Sequence, residues 1–94
     1  MMVVIFGKDD CRLCKAAWKK VAFFLNKWGL TEKVLLKFYD MSTVDGMAEG
    51  AFYDVLEIPT TIIFNNGRSL ARWEGKLPPS RELGPHLQNS LKRD

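Results

Sequence analysis

Ninety-four residues, 47% of them hydrophobic and 12% aromatic, suffice for one small core and carry too many apolar groups for a disordered chain. The net charge of +3 is a mild excess; its lysines and arginines are spread along the chain, apart from a Lys92-Arg93 tail, without the aromatic interleaving of a nucleic-acid binder. The longest apolar runs, MMVVIF at the start and VAFFL at 21–25, fall far short of the ~18 residues of a membrane span and lack a signal peptide's flanks.

MVVIF, residues 2–6, is apolar and β-branched, which predicts a buried strand, broken at Gly7 to Asp10. Leu13, Ala17, Val21, Phe24, Leu25 and Trp28 then recur at helical spacing, with Lys15, Lys19 and Lys27 mostly on the other face. Asp9 or Asp10 is the expected cap and Gly29 the expected stop. Trp18, Phe24 and Trp28 are read as core. Residues 33–41 form a second strand, and residues 43–56 a weaker helix interrupted by Gly46 and Gly50. Thr60 to Phe64 form a third strand. Asn65-Asn66-Gly67 is a hairpin turn, because Asn-Gly tolerates positive φ, and Ser69 to Glu74 return beside it. Trp73, near the end of this strand, either lines a site's rim or packs on the last helix. Pro78-Pro79-Ser80 open that helix, roughly Ser80 to Leu91. The fold class is α/β: a four-stranded mixed sheet with helices on both faces, in the order βαβαββα, in a single domain over residues 1–94.

Cys11 and Cys14 are the only cysteines, and they sit where a buried strand gives way to a helix. Unsatisfied amides at a helix N-terminus favour an anion, so the position predicts a lowered Cys11 pKa and a nucleophilic Cys11 thiolate. Arg12 and Lys15 favour that thiolate; Asp9 and Asp10 oppose it unless they turn away to cap the helix. Cys14, one turn on, falls on the buried row and is suited to resolve a mixed disulfide. A self-contained zinc site needs four ligands, and the chain offers two cysteines and a distant His86. Three readings of the pair stay open. It is a redox dithiol, a pair of thiols in a redox-silent peptide-binding module, or part of a metal-binding site shared between two chains.

Two motifs carry a resemblance to the thioredoxin/glutaredoxin superfamily over nearly the whole chain. FGKDDCRLCK follows a strand and is similar to the glutaredoxin pattern, with Lys8 three residues before the first cysteine. YDVLEIPTTIIFNNG, residues 53–67, resembles the thioredoxin run in which Ile-Pro-Thr precedes a hydrophobic strand and an Asn-Gly turn. The resemblance implies a minimal, glutaredoxin-sized thioredoxin-like fold, without the thioredoxin N-terminal strand and helix. It implies a cis Pro59 beside the dithiol, and substrate contacts from Lys8, Ile58, Pro59 and Thr60, with the Ile58 backbone pairing an extended substrate.

Departures from the family pattern bear on the reductant. Arg12-Leu13 replaces the proline-containing pair between the cysteines, and residues 2–6 lack the buried aspartate of thioredoxins. The Gly-Gly and following aspartate that hold glutathione have no clear counterpart in WEGKLPPSREL, where Glu74 stands in place of one glycine. The resulting expectation is a protein dithiol–disulfide oxidoreductase with Cys11 as nucleophile and Cys14 as resolving thiol. It needs no bound cofactor and no metal. Its partners are protein disulfides and an external reductant, a thioredoxin-reductase-like enzyme rather than glutathione. It is a cytoplasmic monomer with no nucleic-acid or membrane partner.

Overall fold

Val3, Val4, Ile5 and Phe6 are all buried, on both faces, which makes β1 (Met2–Gly7) an interior strand. It pairs parallel with β2 (Leu35–Asp40) and antiparallel with β3 (Thr60–Asn65), which pairs antiparallel with β4 (Arg68–Glu74). The strand order is β2-β1-β3-β4. The helices are α1 (Arg12–Lys27), α2 (Val44–Phe52) and α3 (Ser80–Lys92). These features come from a computed structural model that describes residues 1–92, with side chains through residue 88; Arg93 of the basic tail lies outside the described residues.

The two faces of the sheet bury different layers. On one, Val3, Ile5 and Ile63 meet Ala17, Val21 and Leu25 of α1 and Leu83 and Leu87 of α3. On the other, Val4, Phe6, Ile62 and Phe64 pack with Val55, Tyr39, Met41 and Tyr53. Two glycines bring α2 close to this second face. A Cβ on Gly46 would meet the Asp40 carbonyl oxygen, and one on Gly50 the Met41 side chain. The βαβαββα order, the mixed sheet and the helices on both faces are as the hydrophobic patterning predicts.

Asn66 and Gly67 both have positive φ, 53° and 78°, as a two-residue hairpin turn requires. Several expectations need correction. Neither Asp9 nor Asp10 caps α1: the cap is Cys11, whose side chain accepts the Cys14 N–H. The carboxylates lie in the preceding turn, closed by the Cys11 N–H on the Lys8 carbonyl. Helix α2 ends at Phe52 rather than near residue 56, because Asp54 takes a positive φ of 56° and the Val55 N–H turns back to the Gly50 carbonyl. Trp18 is not core. It is exposed and rests edge-on against Phe38 of β2, while Ala17 takes the buried place on its turn. Trp73 packs on the last helix: it is buried with Leu83 and Leu87, and its Nε1–H donates to the Glu82 carboxylate at 2.8 Å.

Candidate active site

Strand β1 ends at Gly7, directly beneath Cys14. A Cβ at Gly7 would lie 2.7 Å from Cys14 Sγ and 2.8 Å from its Cβ, so only glycine lets the strand pass this close. The chain then turns through residues 8–10 and enters α1 at Cys11. Cys11 has extended backbone (φ −97°, ψ 110°), and its Sγ accepts the Cys14 N–H at 3.1 Å. The two sulfurs form a disulfide, with the Cα atoms 5.2 Å apart. Cys14 has no exposed surface, whereas Cys11 is half-buried. A thiol arriving from solvent therefore reaches Cys11 first. In the reduced pair, a Cys11 thiolate would hold the Cys14 N–H and sit at the positive end of α1.

Of the charges weighed from sequence, Arg12 and Lys15 are exposed in the first turns of α1, and Asp9 and Asp10 are exposed in the turn before it. Asp40, paired with Gly7 at the end of β2, has its pKa lowered, chiefly by the Ser42 hydroxyl, which donates at 2.6 Å. The Ser42 backbone N–H adds to this, and the Lys8 charge contributes least.

The Ile58–Pro59 bond is cis. Because Phe6 is opposite Thr60 in the antiparallel register, Ile58 and Pro59 enter the sheet at the end where β1 leads out to the dithiol. Pro59 is buried, and its carbonyl accepts the Gly75 N–H at 2.7 Å. Thr60 is fully buried and its hydroxyl donates to the Glu57 carbonyl at 2.7 Å, so its side chain holds the turn rather than facing outward. Ile58 is half-buried and Lys8 exposed. These two line one depression with Met41, Met47, Val55, Leu56 and Glu57. Lys8 also borders a second depression, lined by Asp9, Lys15, Trp18, Lys19 and Phe38.

Two carboxylates stand near Gly75. Glu57 lies where a Gly75 side chain would project, and Glu74 is adjacent, paired with Arg72 at 3.3 Å. Arg72 also donates to the carbonyls of Tyr53 and Asp54, tying β4 to the turn that leads toward Ile58. This anchoring role has no signature in the sequence, because nothing local distinguishes Arg72 from any other strand cation. Gly7 does more than end a strand, and its signal in the sequence is a glycine between an apolar strand and Cys-x-x-Cys. The His86 ring stands edge-on to Trp73 at 6.1 Å. Among the described residues, no group of three or more His, Cys, Asp and Glu side chains is placed to hold a metal ion.

A mixed sheet in the order 2-1-3-4, helices on both faces, a Cys-x-x-Cys pair at the mouth of the first helix and a cis X-Pro bond opening the third strand together define a thioredoxin-like fold. Solved structures bear this out. Thioredoxin-2, described as a component of malaria parasite protein secretion machinery, superimposes with a TM-score of 0.76 at 19% identity, over 94% of this chain and 81% of the other. Thioredoxin 1 from Thermosipho africanus gives 0.68 at 19% identity, over 99% and 92% of the two chains. Oxidised thioredoxin O2 from Arabidopsis thaliana gives 0.73 at 18%, over 94% and 72%. The chain has the thioredoxin fold. No protein-family model matches it, and none of the curated proteins does. Among the described residues, no helix is long and apolar enough to cross a membrane.

Proposed function

We propose that this chain is a thiol–disulfide oxidoreductase that reduces protein disulfides through Cys11 and Cys14. The observation that carries the reading is the asymmetry of the pair: a half-buried Cys11 at the helix mouth, bridged to a fully buried Cys14. The Cys11 thiolate attacks one sulfur of the substrate disulfide. That S–S bond breaks, a mixed disulfide forms, and the other substrate sulfur leaves as a thiolate that takes a proton from water. Cys14, losing its own proton, then attacks Cys11 Sγ. The mixed disulfide breaks, the second substrate thiol departs, and the Cys11–Cys14 disulfide remains. The substrate has gained two electrons and two protons; the chain has lost two electrons and the Cys14 proton, and water has supplied the other proton. Ile58, beside the buried Pro59, offers its backbone to an extended substrate segment, and Lys8 borders the same depression.

An external donor returns the electrons. A flavoenzyme of the thioredoxin-reductase type fits better than glutathione, because Glu57 and Glu74 near Gly75 present negative charge to an anionic tripeptide. Arg72 offsets only Glu74. The Gly75 N–H is already committed to the Pro59 carbonyl.

The test is trapping. Cys14→Ser, incubated with a disulfide-bonded protein, is expected to accumulate a mixed disulfide on Cys11, identified by mass spectrometry. Cys11→Ser is expected to accumulate none. Equal accumulation on both variants would overturn the assignment of roles, and none on either would overturn the function.

A further inference from the structure

Helix α2 has its apolar face turned outward. Gly46 and Gly50, one turn apart, form its buried side. The opposite row reads Val44, Ala48, Ala51 and Phe52, all exposed. Val44 is 78% exposed, Phe52 75% and, just beyond the helix, Leu56 90%. Single exposed apolar residues are ordinary, but a row of them along one helix marks an interaction surface. The row is continuous with the candidate active site. Met47, on the flank of α2, and Leu56 line the same depression as Ile58 and Lys8.

Charge decides what fits this surface. The cations spread along the rest of the chain stop at Lys37 and resume at Arg68. Between them lie Asp40, Asp45, Glu49, Asp54 and Glu57, with no lysine or arginine. Asp45 and Glu49 fall one turn apart, beside the apolar row. Two cations stand nearby: Lys8, across the depression, and Arg72, which is held by the Tyr53 and Asp54 carbonyls and by Glu74 rather than by Asp45 or Glu49. A neutral apolar partner would leave the Asp45 and Glu49 charges beside the apolar row unmatched, and an acidic one would be repelled.

We infer that the α2 face is a docking surface for a basic, apolar peptide segment, and that it selects protein substrates whose disulfide lies next to such a segment. The substrate half of this statement rests on the oxidoreductase reading; the docking half does not. Apolar side chains of the segment cover Val44, Ala48 and Phe52, while its lysines or arginines face Asp45, Glu49 and Glu57.

The experiment reads binding without turnover. Two cysteine-free peptides, one alternating Leu and Lys and its counterpart alternating Leu and Glu, are titrated into the reduced protein while backbone amide resonances are followed. The Leu/Lys peptide is expected to move the amides of residues 44–58 saturably, about 5–10-fold tighter than the Leu/Glu peptide at low salt. Salt should narrow that ratio. Glu49→Lys should remove the preference and Phe52→Ser should weaken both peptides. Phe52 is exposed and Glu49 half-buried, and neither belongs to the buried core, so both variants are expected to unfold as the unsubstituted protein does, and the rate on a small neutral disulfide should not change. Equal affinity for the two peptides would overturn the inference. So would shifts confined to the lysine-rimmed depression at Lys15, Trp18 and Lys19, where an acidic segment would bind instead. Loss of small-disulfide reduction in the unsubstituted protein would strike at the oxidoreductase reading and leave these binding results standing.

Discussion

Cys14 has no exposed surface and lies over Gly7, while Cys11 is reachable at the helix mouth. Burial and helix-terminal charge act in the same direction on the two thiols. In the reduced protein at neutral pH, Cys11 is expected to react with iodoacetamide at least ~10-fold faster than Cys14. Peptide mapping over a time course reads this, and equal rates would contradict it. A second residue tests the packing around the sheet. Thr61 is fully buried, and its hydroxyl has no hydrogen-bond partner. A buried polar group left unpaired costs about 1–3 kcal/mol, so the near-isosteric Thr61→Val is expected to raise stability by about 1 kcal/mol. Urea unfolding measures it; a loss of stability would mean that the hydroxyl has a partner. The adjacent Thr60 serves as contrast, because its hydroxyl is committed to the Glu57 carbonyl.

At the scale of elements, α2 is held by contacts its sequence only hinted at. Thr43 caps it: its hydroxyl accepts the Gly46 N–H at 3.0 Å and donates to the Asp40 carbonyl at 2.7 Å. The two helical glycines are not equivalent. A Cβ on Gly46 would fall 1.8 Å from the Asp40 carbonyl oxygen, which is backbone and cannot step aside. One on Gly50 would meet the flexible end of Met41 at 2.5 Å. Alanine gains up to ~1 kcal/mol of helix propensity over glycine, while overpacking costs about 1–3 kcal/mol or more. Gly46→Ala is therefore expected to destabilise the protein by about 2 kcal/mol, and Gly50→Ala to be nearly neutral. Denaturant midpoints of the two variants decide it, and equal losses would contradict the close approach at Gly46. From sequence these glycines read only as weak points in a helix. The strands were legible, because β-branched runs and the Asn66-Gly67 turn are local signals. The cap of α1 was not, since Asp9, Asp10 and Cys11 are all short side chains with acceptor atoms. Which one meets the free amides depends on the turn closed by Lys8 and Cys11. Trp18 shows a similar limit: helical spacing puts it at the edge of the apolar stripe, and only the placement of β2 decides that it stays exposed against Phe38.

For the whole molecule, the sheet brings to one end what the sequence holds far apart: the Cys11–Cys14 pair after β1 and the Ile58–Pro59 turn before β3. The dithiol itself was readable from spacing and context, as was the proline motif. The outward apolar face of α2 was not, because burial of the small side rather than the large one is a property of the packed structure. An oxidoreductase exchanges its Cys11–Cys14 disulfide in use, whereas a structural disulfide is kept as a permanent brace. The most direct test equilibrates the protein in thiol redox buffers and counts free cysteines by quenched alkylation. A reversible two-electron transition is expected, with a midpoint in the range of dithiol oxidoreductases, about −270 to −120 mV. A disulfide that stays closed until below about −300 mV, as structural disulfides do, would contradict it.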